Sequence, residues 1–410
     1  MSAKTNVLKG QLSVMSFLQY AVFGAWLSSL GVYLGHIGLG SHIGTFFATL
    51  GIASLFMPTI MGIVADRWIP VERLVSLSHL MAGIMMVLAA QQVEFGPLYT
   101  YILLSVCFYM PTLGLTNSAA YFALSREGLD TVQHFPPIRV FGTVGFIVAA
   151  VFVDQMGYKT QNAQLYVSAV LSFVLAVYML TLPASKIIKQ ENKDKNWIDV
   201  LGLRAFSLFK DRNIALFFIF SFLLGISLQI TNSFANHYIT GHFGSIEEYA
   251  NSWAVNNSGT LISISQVSEA VCILLIPFFL KRYGIKVVML ISMFAWVLRF
   301  GLLGTGNPLD GLWMLIASMI VYGVAFDFFN VSGSLYIDQQ TPVAMRSSAQ
   351  GIFLLMTNGL GSIAGPLLAQ QVINRVGYPY SWHVFALYSL VIAIAFWLLF
   401  KYKYVRDKAA

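Results

Sequence analysis

Charge is what this chain has least of. Asp, Glu, Lys and Arg make up 10% of its 410 residues, against about 25% in an ordinary soluble protein. That excludes the string of soluble domains that length alone would suggest. Cysteine is nearly as scarce: Cys107 and Cys272 both fall inside apolar runs, so no disulfide framework is indicated and both read as small buried side chains. The seven histidines lie mostly in loops or near the ends of apolar runs, and none forms a His-Glu-x-x-His or similar spacing. A metalloenzyme is therefore a poor reading. No nucleophile-and-base motif supports another kind of enzyme, and no sizeable polar domain stands ready as the output of a receptor. The stretch Met1 to Gly10 is short and polar. The apolar run after it is too long for a removable signal peptide and lacks a small-residue cleavage site, so it reads as a first membrane span.

What the chain does have is hydrophobic sequence, 57% of its residues. Stretches able to cross about 30 Å of hydrocarbon at about 1.5 Å per residue fall at 11–33, 43–65, 74–91, 98–121, 138–154, 165–183, 214–238, 258–280, 286–304, 311–336, 348–372 and 382–402. The expected fold is an all-α polytopic membrane protein with twelve spans. With the N-terminus inside, the inner segments carry twenty Lys and Arg and the outer loops only Lys159 and Arg375. This bias places both termini in the cytoplasm. It also accounts for the net charge of +7 through topology and attraction to anionic lipid, and leaves no case for nucleic acid as a partner.

The one long charged connection, Ala184 to Asn213, divides the spans six and six. The domains expected are a bundle over 1–183, a cytoplasmic linker over 184–213 and a second bundle over 214–410. Within the linker, Trp197 to Phe209 places apolar residues at helical spacing, as an amphipathic helix under the membrane would. The two halves also echo each other. Tyr109 to Asn117 in the fourth span repeats the Tyr-to-Asn spacing of Tyr322 to Asn330 in the tenth, and the turn at Asp66-Arg67 matches Lys281-Arg282, both at a displacement of about 213 to 215 residues. Two pseudo-symmetric six-helix bundles follow.

Against this background Asp327 stands out, an ionisable residue in the middle of the tenth span. A carboxylate at bilayer depth costs at least about 2.5 to 3.5 kcal/mol and by default marks a functional cavity. Glu269 in the eighth span lies about 18 Å from the inner edge at Lys281 and shares a helical face with Gln266. In the seventh span Gln229 and Asn232 are again three apart. In the tenth, Tyr322 and Phe326 are spaced to stack. In the fifth, Phe135-Pro-Pro-Ile-Arg139 reads as a helix start, with Arg139, Thr143 and Phe146 on one face. These faces describe a cavity lined by spans 5, 7, 8 and 10.

Its lining combines amides and hydroxyls, which donate and accept hydrogen bonds, with flat rings that suit a planar, hydroxylated, neutral solute. A nucleoside has one flat base and one polyol and meets both demands. An acid near the midplane can bind a proton from one side and release it to the other. The same residues also have plain structural readings. Buried amides serve as interhelical hydrogen bonds worth about 1 kcal/mol each, Glu269 and Asp327 can pair with Arg139 or Arg299, and Arg299 reads as a structural counter-ion. Trp253, Trp313 and Trp382, near span ends, read as interface anchors.

These residues resemble a known family. Gly62-Ile-Val-Ala-Asp66-Arg67 is similar to the first half of the loop signature of the major facilitator superfamily; the second half departs, with Ile69 where Gly is usual. Phe135 to Phe146, Leu228 to Asn232, Ser263 to Glu269 and Val321 to Asn330 resemble the bacterial nucleoside:proton symporters, and the likeness runs from about Gln11 to Val405. It implies the major facilitator fold, alternating access between the two bundles, and uptake of purine and pyrimidine nucleosides such as uridine and adenosine. The proton is the coupling ion, with no other cofactor and no metal. The protein would be a monomer in the inner membrane. By motif, Arg139, Thr143, Phe146, Gln229, Asn232, Gln266, Glu269, Tyr322, Phe326 and Asp327 form the nucleoside site, with Asp327 and Glu269 coupling the proton. Phe141, where relatives carry Trp, is a departure beside the site that leaves base preference open. A sugar or oligosaccharide:proton symporter and a non-transporting nucleoside sensor are the rival readings.

Overall fold

The computed structural model describes residues 3–183, 208–341 and 346–401. The helix expected over Trp197 to Phe209 falls, but for its last two residues, outside them. Helices account for 88% of the structure, and no strand occurs among the described residues. The main helices are α1 (Ala3–Gly24), α2 (Leu30–His36), α3 (Ile43–Arg67), α4 (Val71–Ala90), α5 (Phe95–Arg126), α6 (Thr131–Gln155) and α7 (Ala163–Met179) in the first half. The second half has α8 (Arg212–His237), α9 (Ser258–Thr305), α10 (Leu312–Gln340), α11 (Arg346–Leu354), α12 (Gly361–Val376) and α13 (Tyr378–Leu399).

Helix is the form such sequence must take in hydrocarbon, where every backbone N–H and C=O has to be paired within the segment. The side chains confirm the solvent. Val140, Val144, Val148 and Phe152 recur every four residues on α6 and are exposed, as are Val267, Val271, Leu274 and Phe278 on α9. Stripes of this kind would be a liability in water and face lipid instead. The eighth and ninth expected spans both lie in α9, which is two helices meeting at Gly284, where φ is 75° and ψ 167°. Only glycine adopts that backbone cheaply, so it makes the turn between Lys281 and Ile285.

Three local features differ from the sequence expectation. The first span is broken at residues 25–29. There the backbone turns to shorter bonds, Trp26 N–H to Phe23 O and Ser29 N–H to Trp26 O, while Ser29 Oγ donates to Gln164 Oε1 at 2.8 Å and ties the bend to α7. The fifth span begins earlier than expected, at Thr131, so Pro136 and Pro137 fall in the second turn of α6 rather than at its start. Each removes one backbone donor there, a loss that is cheapest near a helix end. Finally, two wide π-turns occur, Tyr238–His242 and Leu355–Leu360.

Two compact units emerge. Among the described residues the first takes in 3–183 with Ser233–Gly241 and Asn256–Ser263; the second takes in 208–232, His242–Val255, 264–341 and 346–401. In the first, α1 lies directly on α6. Gly24 sits against the Phe146 backbone and Gly145 against the Phe17 backbone, with no room for a Cβ on either. Small residues let helix backbones approach where no hydrophobic effect drives association. Gly145→Val should therefore force α1 from α6 and cost about 1–3 kcal/mol, read as a lower unfolding temperature in detergent. At the far end of α6, Asp154 pairs with Lys159 at 2.7 Å and accepts the Gly259 N–H at 2.8 Å.

In the second unit the same device recurs. Gly225 of α8 packs on the Thr357 backbone, and Gly323 of α10 on the Ser268 backbone of α9. Ser268 Oγ also donates to Ile320 O, which locks the first part of α9 to α10.

Candidate functional site

That lock positions the acids. Asp327, one turn beyond Gly323 on α10, is 2% exposed, and its Oδ2 is buried with no protein hydrogen-bond partner among the described residues. Glu269 follows Ser268 on α9 and is near enough for its charge to act on both Tyr322 and Asp327. Tyr322 and Phe326 stack with ring centroids 6.0 Å apart, as their spacing predicts. Tyr322 Oη donates to Asn232 Oδ1 at 3.4 Å, and Trp296 stands edge-on to Tyr322 at 6.1 Å. Of the α8 pair, Gln229 is buried and Asn232 exposed; Gln266 and Glu269 are half-buried. The second unit therefore gathers Asn232, Glu269, Tyr322, Phe326 and Asp327 into one cluster, with Gln229 and Gln266 on the helices that supply it.

The three α6 residues belong to the first unit. The Arg139 guanidinium lies over the Tyr20 ring, 3.9 Å from its centroid, a cation–π contact that orients the fork. Phe146 meets Phe23 edge-on at 6.4 Å, and Phe23 stacks on Tyr109 at 5.1 Å. Thr143 is half-buried on the same helix.

Two residues behave otherwise than their sequence positions suggest. Arg299 is buried, yet its partners are not acids. Nε and Nη2 donate to Thr231 Oγ1 at 3.1 and 2.9 Å, Nη1 donates to Ser318 O, and the guanidinium lies 4.7 Å from the Tyr322 ring centroid. Trp382, read as an interface anchor, is fully buried against Phe300 and Phe385, whereas Trp253 and Trp313 are exposed as anchors should be.

Sequence reasoning missed a polar cluster in the first unit. Gln19 Nε2 donates to Thr112 Oγ1 at 2.8 Å, which leaves Gln19 Oε1 to accept from His79 Nε2 at 2.9 Å. His79 is wholly buried within α4, the exception among histidines otherwise found mostly near helix ends. Tyr109 Oη donates to Gln19 O at 2.8 Å. The signal for this cluster was the repeat: Tyr109 and Tyr322 are 213 residues apart, and so are Gln19 and Asn232. Each unit thus anchors the tyrosine of its fourth span on the same register position of its first span. Ser105 and Ser318, also 213 residues apart, each donate to a backbone carbonyl of a neighbouring helix, Ala82 O and Arg299 O.

Two helical units with a common register, each with lipid-facing stripes and polar side chains buried between its helices, define a polytopic transporter. Comparison with known proteins gives its family. The profile described as Nucleoside H+ symporter matches residues 6–405. The nucleoside permease NupG of Escherichia coli K12 is 45% identical over 409 residues, covering 97% of each chain. The xanthosine permease of the same organism is 43% identical over 408 residues, again covering 97% of each. The crystal structure of the nucleoside transporter NupG superposes with a TM-score of 0.90 at 44% identity, over 97% of this chain and all of that one. The chain belongs to the nucleoside:H+ symporter family. Its fold is that of the major facilitator superfamily, and it is a multi-pass inner-membrane protein whose activity is proton-coupled nucleoside uptake.

Proposed function

We propose that this symporter takes up purine and pyrimidine nucleosides alike, uridine and adenosine among them, by alternating access of a bundle over 1–183 and a bundle over 214–410 joined by the linker 184–213. The observation that carries the reading is Asp327, a buried acid with an unpartnered oxygen beside the stacked pair Tyr322 and Phe326. The rings take the flat base. Gln229, Asn232 and Gln266 bond the ribose hydroxyls and base edge, with Arg139, Thr143 and Phe146 contributing from α6. Asp327, with Glu269 beside it, carries the proton. The excess of Lys and Arg on alternate loops supports cytoplasmic termini, and the molecule acts as a monomer.

Reconstitution into proteoliposomes tests this. An inward proton gradient should drive accumulation of labelled uridine, and excess adenosine should compete while disaccharides do not. Competition by disaccharides would favour the sugar symporter, and binding without gradient-driven accumulation would leave a sensor.

A further inference from the structure

The first unit buries a polar cluster for which the uptake described above has no use. Gln19 of α1, wholly buried, stands at its centre. Its amide is bonded at both ends, Nε2 to Thr112 Oγ1 on α5 and Oε1 to His79 Nε2 on α4, while its carbonyl accepts the Tyr109 hydroxyl. The network fixes every direction. Thr112 gives its own proton to Tyr109 O at 2.6 Å, so toward Gln19 it accepts, and the amide oxygen is left facing His79. His79 therefore donates from Nε2. Its Nδ1 is buried without a hydrogen-bond partner among the described residues. An imidazole held in one tautomer serves as a fixed donor, and breaking such a network strands buried polar groups, which is what makes it rigid.

The neighbours of Gln19 along α1 meet the site residues of α6. The Tyr20 ring supports the Arg139 guanidinium at 3.9 Å. Gly142 makes room for both, since a Cβ there would lie 2.6 Å from the Tyr20 ring and 2.9 Å from Arg139 Nη1. One turn after Gln19, Phe23 meets Phe146 edge-on at 6.4 Å and stacks on Tyr109 at 5.1 Å. The tyrosine that bonds the Gln19 carbonyl thus also backs Phe23. We propose that Gln19, held by His79, Thr112 and Tyr109, positions the first unit's share of the nucleoside site by fixing Tyr20 against Arg139 and Phe23 against Phe146. This rests on the reading of Arg139 and Phe146 as nucleoside contacts. His79 is in this a positioning residue that supplies one hydrogen bond and carries no proton.

The repeat shows what is particular to the first unit. At a displacement of 213 residues, Gln19, His79, Tyr109 and Thr112 fall on Asn232, Ser292, Tyr322 and Ala325. There Ser292 Oγ donates to Ala325 O, which ties α9 to α10 without a side chain from α8. Asn232 is exposed and keeps only the tyrosine bond of the pattern. The second unit leaves its amide accessible; the first commits its amide to two other helices.

Uptake kinetics of the full-length protein in proteoliposomes test the proposal. His79→Gln keeps a donor where Nε2 stands, and His79→Leu does not. His79→Leu should raise KM for uridine and adenosine about tenfold with Vmax and the accumulation ratio kept, the mark of lost binding rather than lost chemistry. His79→Gln should recover most of that loss and keep the wild-type pH profile. Tyr20→Leu should raise KM in otherwise wild-type protein but add nothing in an Arg139→Gln background, because residues acting through one another are not additive. Failure of His79→Gln to recover KM, or an additive effect of Tyr20→Leu, would overturn the inference. A shifted pH profile in His79→Gln would overturn it too, making His79 a proton carrier. Should His79→Leu fail to fold, the pH profile and KM of His79→Gln against wild type decide, together with the Tyr20 and Arg139 pair. An Arg139→Gln variant with the wild-type KM would overturn the parent reading of that residue as well, whereas a raised KM there with additive Tyr20→Leu overturns this inference only.

Discussion

Asp327→Asn is expected to abolish gradient-driven accumulation while leaving facilitated nucleoside exchange. The amide keeps the shape and hydrogen-bonding capacity of the protonated acid but can neither take up nor release a proton, so the link between flux and gradient is cut. The size of the effect follows from the driving force. One proton moving down 100 mV supplies about 2.3 kcal/mol, enough to hold roughly a 50-fold nucleoside gradient. With one proton per nucleoside, proteoliposomes carrying the variant should equilibrate at a ratio of about 1 in place of roughly 50. The pH dependence has a definite sign. Loading requires the acid to be protonated on the outer side, so wild-type uptake falls as external pH rises, both because the site is less often protonated and because the gradient shrinks. Exchange by Asp327→Asn should be flat over the same range. A variant that still accumulates uridine at acidic external pH would refute the coupling role and move it to Glu269, whose charge already acts on Asp327.

Much of this could be read from the chain before any coordinates. Apolar length and Lys/Arg bias are properties of segments, and segments are what hydropathy measures. The stacking of Tyr322 on Phe326 was legible because neighbours at four residues on a helix must meet. What stayed hidden depends on which helices touch. Nothing near Arg299 in the chain names Thr231 or Ser318, and a buried arginine in a membrane span invites pairing with an acid by default. Here three uncharged groups share the guanidinium instead. Trp382 misled for a similar reason, since nearness to a span end says nothing about which way the ring points. His79 is the instructive case, for the half-to-half displacement was already in view, and carrying it from Asn232 back to Gln19 leads to the helix where the His79 network is anchored.

Arg299 should prove intolerant of lysine, and more so than of methionine. Its planar fork reaches Thr231 of α8 through two nitrogens and Ser318 O of α10 through the third, while its face supports Tyr322. It is a positioning residue, holding the ring that in turn meets Asn232. A lysine keeps the charge but is a point donor on a flexible stem and cannot span both partners. It surrenders at least one bond of the charged kind, worth about 1.5–3 kcal/mol, while still keeping an ammonium at bilayer depth. Methionine removes the cation and its burial cost together. The Thr231 hydroxyl it strands can turn back onto its own helix, and Ser318 O retains its place in the backbone ladder of α10. Stability in detergent should therefore fall in the order wild type, Arg299→Met, Arg299→Lys. Uptake should fall at least about tenfold in both, the equivalent of about 1.4 kcal/mol, because neither holds the Tyr322 ring. The loss should show as a raised KM shared by all nucleosides, with the preference among bases unchanged, which separates positioning from direct contact with the base. If Arg299→Lys matches wild type in both unfolding temperature and uptake, charge alone suffices and the fork geometry has no role.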